Sequence, residues 1–202
     1  MDWTSAWLAA GAATTSGIKL YVTILTLGLL QRFHRVELPT EWRILGATWV
    51  LILAGAFCIV EFTADKIPVV DSFWDAIHTF IRVPAGAVLM ASAFADVSPA
   101  ARLLAGLLGG SLALTTHGAK ASARLAANTS PEPFSNIIFS LLEDALTVFL
   151  LGLAATHPWL AALLVSIVVL TSIIVIYTCF KFTRLLLNKL ARWFGDSPAT
   201  PA

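Results

Sequence analysis

Residues 4–31 read TSAWLAAGAATTSGIKLYVTILTLGLLQ. A helix needs about 20 mainly apolar residues to cross a bilayer, so this run predicts a transmembrane helix with one charged residue, Lys19, near its middle. The sequence opens with MDWTS, which contains no Lys or Arg, whereas a cleaved signal peptide begins with a positively charged region. We therefore expect this helix to remain in the mature protein.

The composition extends this interpretation to the whole chain. Hydrophobic residues make up 58% and charged residues 12% of the sequence, against about 45–50% and about 25% in soluble domains. An integral membrane protein is predicted. The net charge of +1 excludes a nucleic-acid-binding protein with a basic surface. The sequence shows no zinc spacing, nucleophile elbow, P-loop or dinucleotide-binding turn, so we expect no metal, no cofactor and no enzymatic activity.

Apolar segments separated by polar or proline-rich stretches predict an all-α, polytopic fold with about six transmembrane helices. The predicted helices cover about residues 4–31, 43–62, 71–95, 98–126, 134–156 and 158–187. Pro84 and Gly86 predict a kink or break in the third helix, and a re-entrant segment there would make the number of spans odd. Residues 1–195 would form one membrane domain, followed by a disordered tail, 196–202.

Two short segments resemble each other across the chain. TTSGIK at 14–19 and TTHGAK at 115–120 agree at four of six positions, and each places a lysine, Lys19 or Lys120, in an apolar setting. With three helices in each half, 1–97 and 98–195, duplicated halves would face opposite ways in the membrane. This is the inverted-repeat plan of many secondary transporters, whose sites lie near the midplane.

The charged residues within the predicted helices are the main functional candidates. A charge at the bilayer centre costs roughly 2.5–3.5 kcal/mol, so such residues tend to be paired and functional. His78 and Arg82 share a helix face. Candidates for charge balance or proton coupling are Glu61, Asp65, Asp71, Asp75, His78, Arg82, Glu143 and Asp144. The alternative is that Lys19 forms a purely structural ion pair that fixes helix register.

Small residues beside the two lysines suggest a binding site. Gly17 and Gly118 each precede a lysine by two residues, which would leave space for a ligand or let helices pack closely. His117 would relay protons or form a structural hydrogen bond. The predicted substrate-binding residues are Lys19, Lys120, Gly17, Gly118 and His117.

The order of several motifs over residues 5–155 resembles a known family. The motifs are SGIKLYVTILTLGLL, EFTADKIPVVDSFWD, RVPAGA, GG followed by HGAK, and NTSPEPFSN. They are similar to those of the bacterial membrane family labelled domain of unknown function 4126. Its I-P-x-x-D motif is matched by Ile67, Pro68 and Asp71. The resemblance implies a multi-pass protein of the bacterial inner membrane and no established activity.

These observations lead to two functional hypotheses. The first is a small secondary transporter or lipid-headgroup translocase in which Lys19 and Lys120 bind an anionic solute or headgroup. The second is a non-transporting membrane scaffold or assembly factor with structural ion pairs. The expected partners are the lipid bilayer and an anionic ligand, not nucleic acid, and a homo-oligomer is left open. The basic residues from 181 to 192 favour a cytoplasmic C-terminus, but Arg32, Arg35 and Arg43 conflict with it, so the orientation stays open.

Overall fold

The computed structural model describes residues 3–127 and 133–195, which form six α-helices and one 3₁₀ segment, Thr40–Gly46, without a β-strand in these two ranges. The helices are α1 (Trp3–Arg32), α2 (Thr48–Ala64), α3 (Pro68–Ala93), α4 (Pro99–Ala127), α5 (Pro133–Thr156) and α6 (Pro158–Gly195). The predicted all-α class is confirmed. The NTSPEP stretch between the fourth and fifth predicted helices lies outside the described residues, except for Pro133. The predicted disordered tail, 196–202, also lies outside them.

Several helices are long and apolar enough to span a membrane. They are α1, α3, α5 and α6, and the 3₁₀ segment together with α2, bent by 67°, forms a fifth candidate. The glycines and polar residues of α4 dilute its apolar character, and α4 is not among the candidates. The six predicted helices are therefore present, whereas six spans are not confirmed.

α1 lies at the centre of the bundle and contacts the other five helices. Every residue from Leu8 to Leu20 is buried, because most of these side chains are small and allow neighbouring helices to approach closely. The hydroxyl groups in this stretch donate to carbonyl oxygens of the preceding turn, as Thr14 does to Ala10 (2.7 Å) and Thr15 to Gly11 (2.9 Å). The hydroxyl groups of this stretch thus find their acceptors within the buried helix itself.

The backbone of α1 is interrupted at Lys19, where φ is −145° and ψ is 84°. The neighbouring helix α4 supplies a hydrogen-bond partner for the backbone here: Lys120 Nζ donates to the carbonyl oxygen of Ile18 (3.4 Å). Irregular backbone within membrane helices is tolerated where such partners exist. The break predicted in the third helix is absent, because α3 continues through Pro84.

Two glycines set the closest approach between α3 and α4. A Cβ atom at Gly109 would lie 2.5 Å from the carbonyl oxygen of Gly86, nearer than any real Cβ contact. The two glycines of the G-x-x-x-G motif, Gly106 and Gly110, are less crowded, with hypothetical Cβ contacts of 3.4 Å. The tight contact therefore involves the glycine next to the motif.

The polar stretch between α1 and α2 folds back onto the bundle. Trp42 of the 3₁₀ segment is buried, and its indole N–H lies within reach of the Ser92 hydroxyl (3.0 Å) and the Leu89 carbonyl oxygen (3.3 Å). These bonds tie the segment to the end of α3.

At the other end of the chain, α6 runs for 38 residues, about 57 Å at 1.5 Å per residue, which exceeds the roughly 30 Å hydrocarbon core.

Candidate functional site

Ten charged side chains from five helices and one turn converge inside the bundle, and we call them the charge network. Its four cations are Lys19, Arg82, Lys120 and Arg124, and its six carboxylates are Glu61, Asp65, Asp71, Asp75, Glu143 and Asp144. Eight of the ten are buried, while the side chains of Glu143 and Asp144 are 15% and 29% exposed. The network therefore has two more carboxylates than cations.

Asp65 is the centre of the network. It lies in the turn between α2 and α3 and contacts Lys19 closely, with Arg124 Nη2 at 3.5 Å and Lys120 Nζ at 3.8 Å. The Ser140 hydroxyl donates to Asp65 Oδ2 (2.9 Å) and accepts from Lys19 Nζ (3.1 Å). Burial raises the pKa of Asp65, but the surrounding cations outweigh burial and hold this pKa well below its usual range.

Lys19 and Lys120 share two carboxylates. Lys120 Nζ lies 3.4 Å from Glu143 Oε2, and Lys19 Nζ lies 3.9 Å from the same atom; both lysines also contact Asp65. Lys19 further approaches Asp144 Oδ1 at 3.3 Å. The two lysines of the TT-G-K segments thus meet at one place, where both are paired with carboxylates.

Arg82 organises the second part of the network. It contacts Glu61 closely and donates through Nη1 to Asp75 Oδ1 (3.0 Å). His117 Nδ1 lies 3.0 Å from the same Nη1 atom. A guanidinium group can only donate, so Nδ1 is the acceptor and the proton of the neutral ring is on Nε2, which faces the Thr79 hydroxyl at 2.8 Å. His117 therefore connects Arg82 to Thr79.

His78 lies beside the charge network and has different partners. Its Nδ1 atom is 2.8 Å from the carbonyl oxygen of Trp74, and its Nε2 atom is 3.0 Å from the Tyr21 hydroxyl. Because a carbonyl oxygen only accepts, Nδ1 carries the proton and Nε2 accepts from Tyr21. These two bonds hold the His78 ring between its own helix and Tyr21 of α1.

The glycines before the two lysines are in different environments. A Cβ atom at Gly17 would clash with Thr116 and with the carbonyl oxygen of Ala113, so Gly17 packs directly against α4. A Cβ atom at Gly118 would only touch a methyl group of Ile176 in α6, at 3.4 Å. The expected space for a ligand beside Lys19 is therefore not provided by Gly17, whose role is close helix packing.

A cavity of about 200 Å³ lies between α3 and α4 and reaches the network at Asp75 and Arg124. Thr79, Ala121 and Leu125 also line it. Within residues 3–127 and 133–195, no group of three or more His, Cys, Asp or Glu residues is arranged to hold a metal ion. The carboxylates of the network face cationic side chains instead.

A family model described as "Domain of unknown function (DUF4126)" matches residues 6–178. The chain belongs to this family. All ten residues of the charge network fall within the matched part of this DUF4126 member. No curated protein and no solved structure matches the chain.

The site of this DUF4126 protein contains residues that the sequence analysis missed. Arg124 holds Glu143 with two bonds, Nη2 to Oε2 at 2.9 Å and Nε to Oε1 at 3.3 Å. It follows Lys120 by four residues, a spacing that places both on one helix face and that would have identified it. Ser140 precedes Asp144 by four residues, and the same spacing rule applies to this pair.

Proposed function

We propose that the protein is a small secondary transporter that carries an anionic solute together with protons. The observation that supports this most is the meeting of Lys19 and Lys120 at Asp65 and Glu143 inside the bundle, where Lys19 and Glu143 belong to helices capable of spanning a membrane. Intramembrane ionisable residues of this kind commonly mark substrate pathways and proton relays.

Proton coupling follows from competition between the network's own carboxylates and the solute. An anion can pair with Lys19 or Lys120 only when a carboxylate gives up its place. Protonation of that carboxylate removes its charge and leaves the ammonium group available. The network has two more carboxylates than cations. This surplus supports protonation of a carboxylate before the anion binds, since uncompensated negative charge inside a membrane protein is costly.

Two further features support transport through the network. The interruption of α1 falls at Lys19, and discontinuous helices form the substrate sites of many secondary transporters. The network is also approached from two places: Asp144 and Glu143 are partly exposed on α5, while Asp75 and Arg124 line the cavity between α3 and α4. A carrier needs access to its site from both sides.

The inverted repeat and a location in the bacterial inner membrane belong to the same proposal. The repeat is supported by the convergence of Lys19 and Lys120 from α1 and α4, the first helices of the two halves. Any symmetry near these residues is limited, because Gly17 and Gly118 have different surroundings and α1 is interrupted at Lys19.

A second candidate, a non-transporting membrane scaffold, is favoured by one specific observation. Lys19 is already paired with Asp65 and Ser140, as expected of an ion pair that only joins helices. A variant in which Lys19 and Asp65 exchange their charges distinguishes between the two candidate functions. The double variant Lys19→Asp/Asp65→Lys should recover both stability and cellular function if the pair is structural. A transporter that binds its solute through Lys19 should recover stability at most.

Transport is tested directly with purified protein in liposomes that contain a pH-sensitive dye. Addition of inorganic phosphate or succinate outside should acidify the interior when the solute is carried, because protons enter with it. We expect Lys19→Met and Lys120→Met to abolish acidification. Lys181→Met, which changes an exposed lysine on α6, should retain it.

The charge-conserving variant Lys19→Arg controls for loss of folding. It should fold and keep measurable proton-coupled uptake, because a guanidinium group retains the positive charge. Equal acidification by wild type and Lys19→Met would exclude a role for Lys19 in solute binding. If neither anion produces acidification in the wild type, the proposed transport of these two anion classes is wrong.

A further inference from the structure

An open apolar groove lies between the last turns of α3 and the first turns of α4, on the outer surface of the bundle. Its volume is about 470 Å³, within the roughly 300–1,000 Å³ of typical ligand sites. Ala91 and Gly106 line it and add little side-chain volume, whereas the neighbouring Val88, Leu103 and Leu107 are large and exposed. Because small residues lie between large ones, the surface contains a trough that an apolar chain can enter.

The groove begins near one end of the membrane-spanning part of the protein. The candidate span in α3 runs from Val70 to Ala93, and Ala91 near its end lines the groove. The first residue of α4, Pro99, lines the same end, and Leu107 lies eight residues further along α4, about 12 Å at 1.5 Å per residue. The groove therefore extends from the headgroup level into the hydrocarbon core.

Arg102 gives the outer end of the groove a positive charge. Its side chain lines the groove, is exposed, and forms no ion pair with the residues that the structure describes. Asp96, the nearest carboxylate in the sequence, lines a different cavity together with Glu37 and Glu41. The first turn of α4 contains no acidic residue, although the positive end of a helix dipole favours negative charge. An anion would complement both the guanidinium group and this helix end.

A second open groove, between α4 and α6, shows what Arg102 adds. Its volume is about 390 Å³, and none of the described residues that line it is charged: Thr115, Ile173, Ile176, Tyr177 and Phe180. An acyl chain covers such a surface equally well whatever headgroup it carries. The groove at Arg102 differs because an apolar trough and a cation are combined there.

We propose that the groove between α3 and α4 binds one phospholipid with a net negative headgroup. An acyl chain lies against Ala91, Gly106 and Leu107, and the phosphate oxygens accept hydrogen bonds from Arg102, whose guanidinium group matches phosphate with two parallel bonds. A zwitterionic lipid places its own cation near Arg102, so an anionic lipid is preferred. This inference goes beyond the proposed transport function and does not depend on it.

A second copy of the chain matches the groove less well than a lipid. A two-fold contact uses the same surface patch on both subunits, so two Arg102 side chains would meet at the same depth. Their like charges oppose such a contact. The phosphate of a lipid supplies the missing negative charge instead.

The headgroup preference is tested by native mass spectrometry of the full-length protein in mixed micelles. The micelles contain phosphatidylglycerol and phosphatidylcholine with identical acyl chains. We expect wild type to retain one phosphatidylglycerol about fivefold more than phosphatidylcholine, since a basic residue near a membrane surface contributes about 1 kcal/mol. Arg102→Gln should lose this preference. The matched control Arg43→Gln changes an exposed arginine of the 3₁₀ segment, which is bonded to the same end of α3 through Trp42, and should keep it.

A groove-filling variant tests the place of the acyl chain. A Cβ atom at Gly106 would make its nearest contact at 3.4 Å, an ordinary distance, so Gly106→Leu fills the groove without a backbone clash. It should reduce retention of phosphatidylglycerol severalfold. Gly152→Leu on α5, where a Cβ atom meets nothing within 4 Å, should not. Because Arg102 is exposed, Arg102→Gln keeps the fold and decides the outcome even where Gly106→Leu is unstable.

The position of the lipid is located in liposomes with phosphatidylglycerol that carries a photoreactive diazirine in one acyl chain. Peptide mass spectrometry should find the label concentrated in the range 87–107, and Arg102→Gln should lower it there severalfold. Equal retention of the two lipids by wild type, or a preference kept by Arg102→Gln, overturns the proposal. Labelling spread evenly over α3 to α6 overturns it as well, since that is the pattern of ordinary surrounding lipid. Wild-type dimers that Gly106→Leu separates, with lipid retention unchanged, would identify a second copy as the occupant.

Discussion

Replacement of Asp65 by asparagine should destabilise the protein far more than the same change at Asp144. Asp65→Asn preserves shape and leaves an oxygen atom that accepts from Ser140, so the main change is the loss of charge. Asp65 contacts Lys19, Lys120 and Arg124 and is fully buried, whereas Asp144 contacts Lys19 at 3.3 Å and its side chain is 29% exposed. The two variants therefore compare a central carboxylate with a peripheral one.

The expected magnitudes follow from these contacts. Removing one partner of a buried ion pair costs about 3–5 kcal/mol, while a partly exposed pair contributes about 0–1 kcal/mol. Since about 1.4 kcal/mol changes an equilibrium constant tenfold, Asp65→Asn should change the unfolding constant roughly a hundredfold or more. Asp144→Asn removes part of the carboxylate surplus and should stay within about 1 kcal/mol of wild type.

Reversible unfolding in mixed detergent micelles, followed by circular dichroism, measures both free energies under one condition. The wild type and the two single variants are compared at the same detergent composition and pH 7. An Asp65→Asn protein as stable as wild type would refute the central role of Asp65. Equal losses for Asp65→Asn and Asp144→Asn would refute the assignment of these carboxylates to the centre and the edge of the network.

Further predictions concern pH and packing. Because the folded-state pKa of Asp65 is lowered, its stabilising contribution is fully present above the unfolded-state pKa of about 3.9 and is lost as pH falls through the folded-state value. The stability difference between wild type and Asp65→Asn should thus be constant from pH 8 to about 5 and shrink only below about 4; a decrease already at pH 6 would contradict this. Gly17→Ala should lower the melting temperature in detergent, since overpacking costs about 1–3 kcal/mol, while Gly118→Ala should be neutral or stabilising by up to about 1 kcal/mol; equal effects would be evidence against close packing at Gly17. Trp42→Phe should cost about 0.5–1.5 kcal/mol in the same melting assay through loss of its indole N–H bond, and an unchanged melting temperature would argue against that bond.

The positions of the helices were predictable because they depend on local patterns. Five of the six predicted helices begin within about three residues of the observed helix starts, and the exception is α2, which starts at Thr48 after the 3₁₀ segment. That segment is held by Trp42 bonding to α3, a contact between residues far apart in sequence. Local patterns of hydrophobicity contain no information on such a contact.

The residues of the candidate site were easier to predict than their arrangement. The cost of burying charge indicated that Lys19, Lys120 and the carboxylates would be paired, and they are. Their central partner, Asp65, depends on how the turn after α2 packs against α1 and α5, which the sequence does not determine locally. The break at Lys19 rather than at Pro84 depends in the same way on tertiary contacts, since a proline is the stronger local signal.

The interruption of α1 has a mechanical consequence. An unbroken helix moves as a rigid rod, but α1 consists of two rods joined at the residue that bears the ammonium group. The first rod is buried among the other helices, and the second leads to the Trp42 segment. Any change in the angle between them must displace Lys19 relative to its three acidic neighbours. Bending of the central helix would therefore change the charge contacts of Lys19.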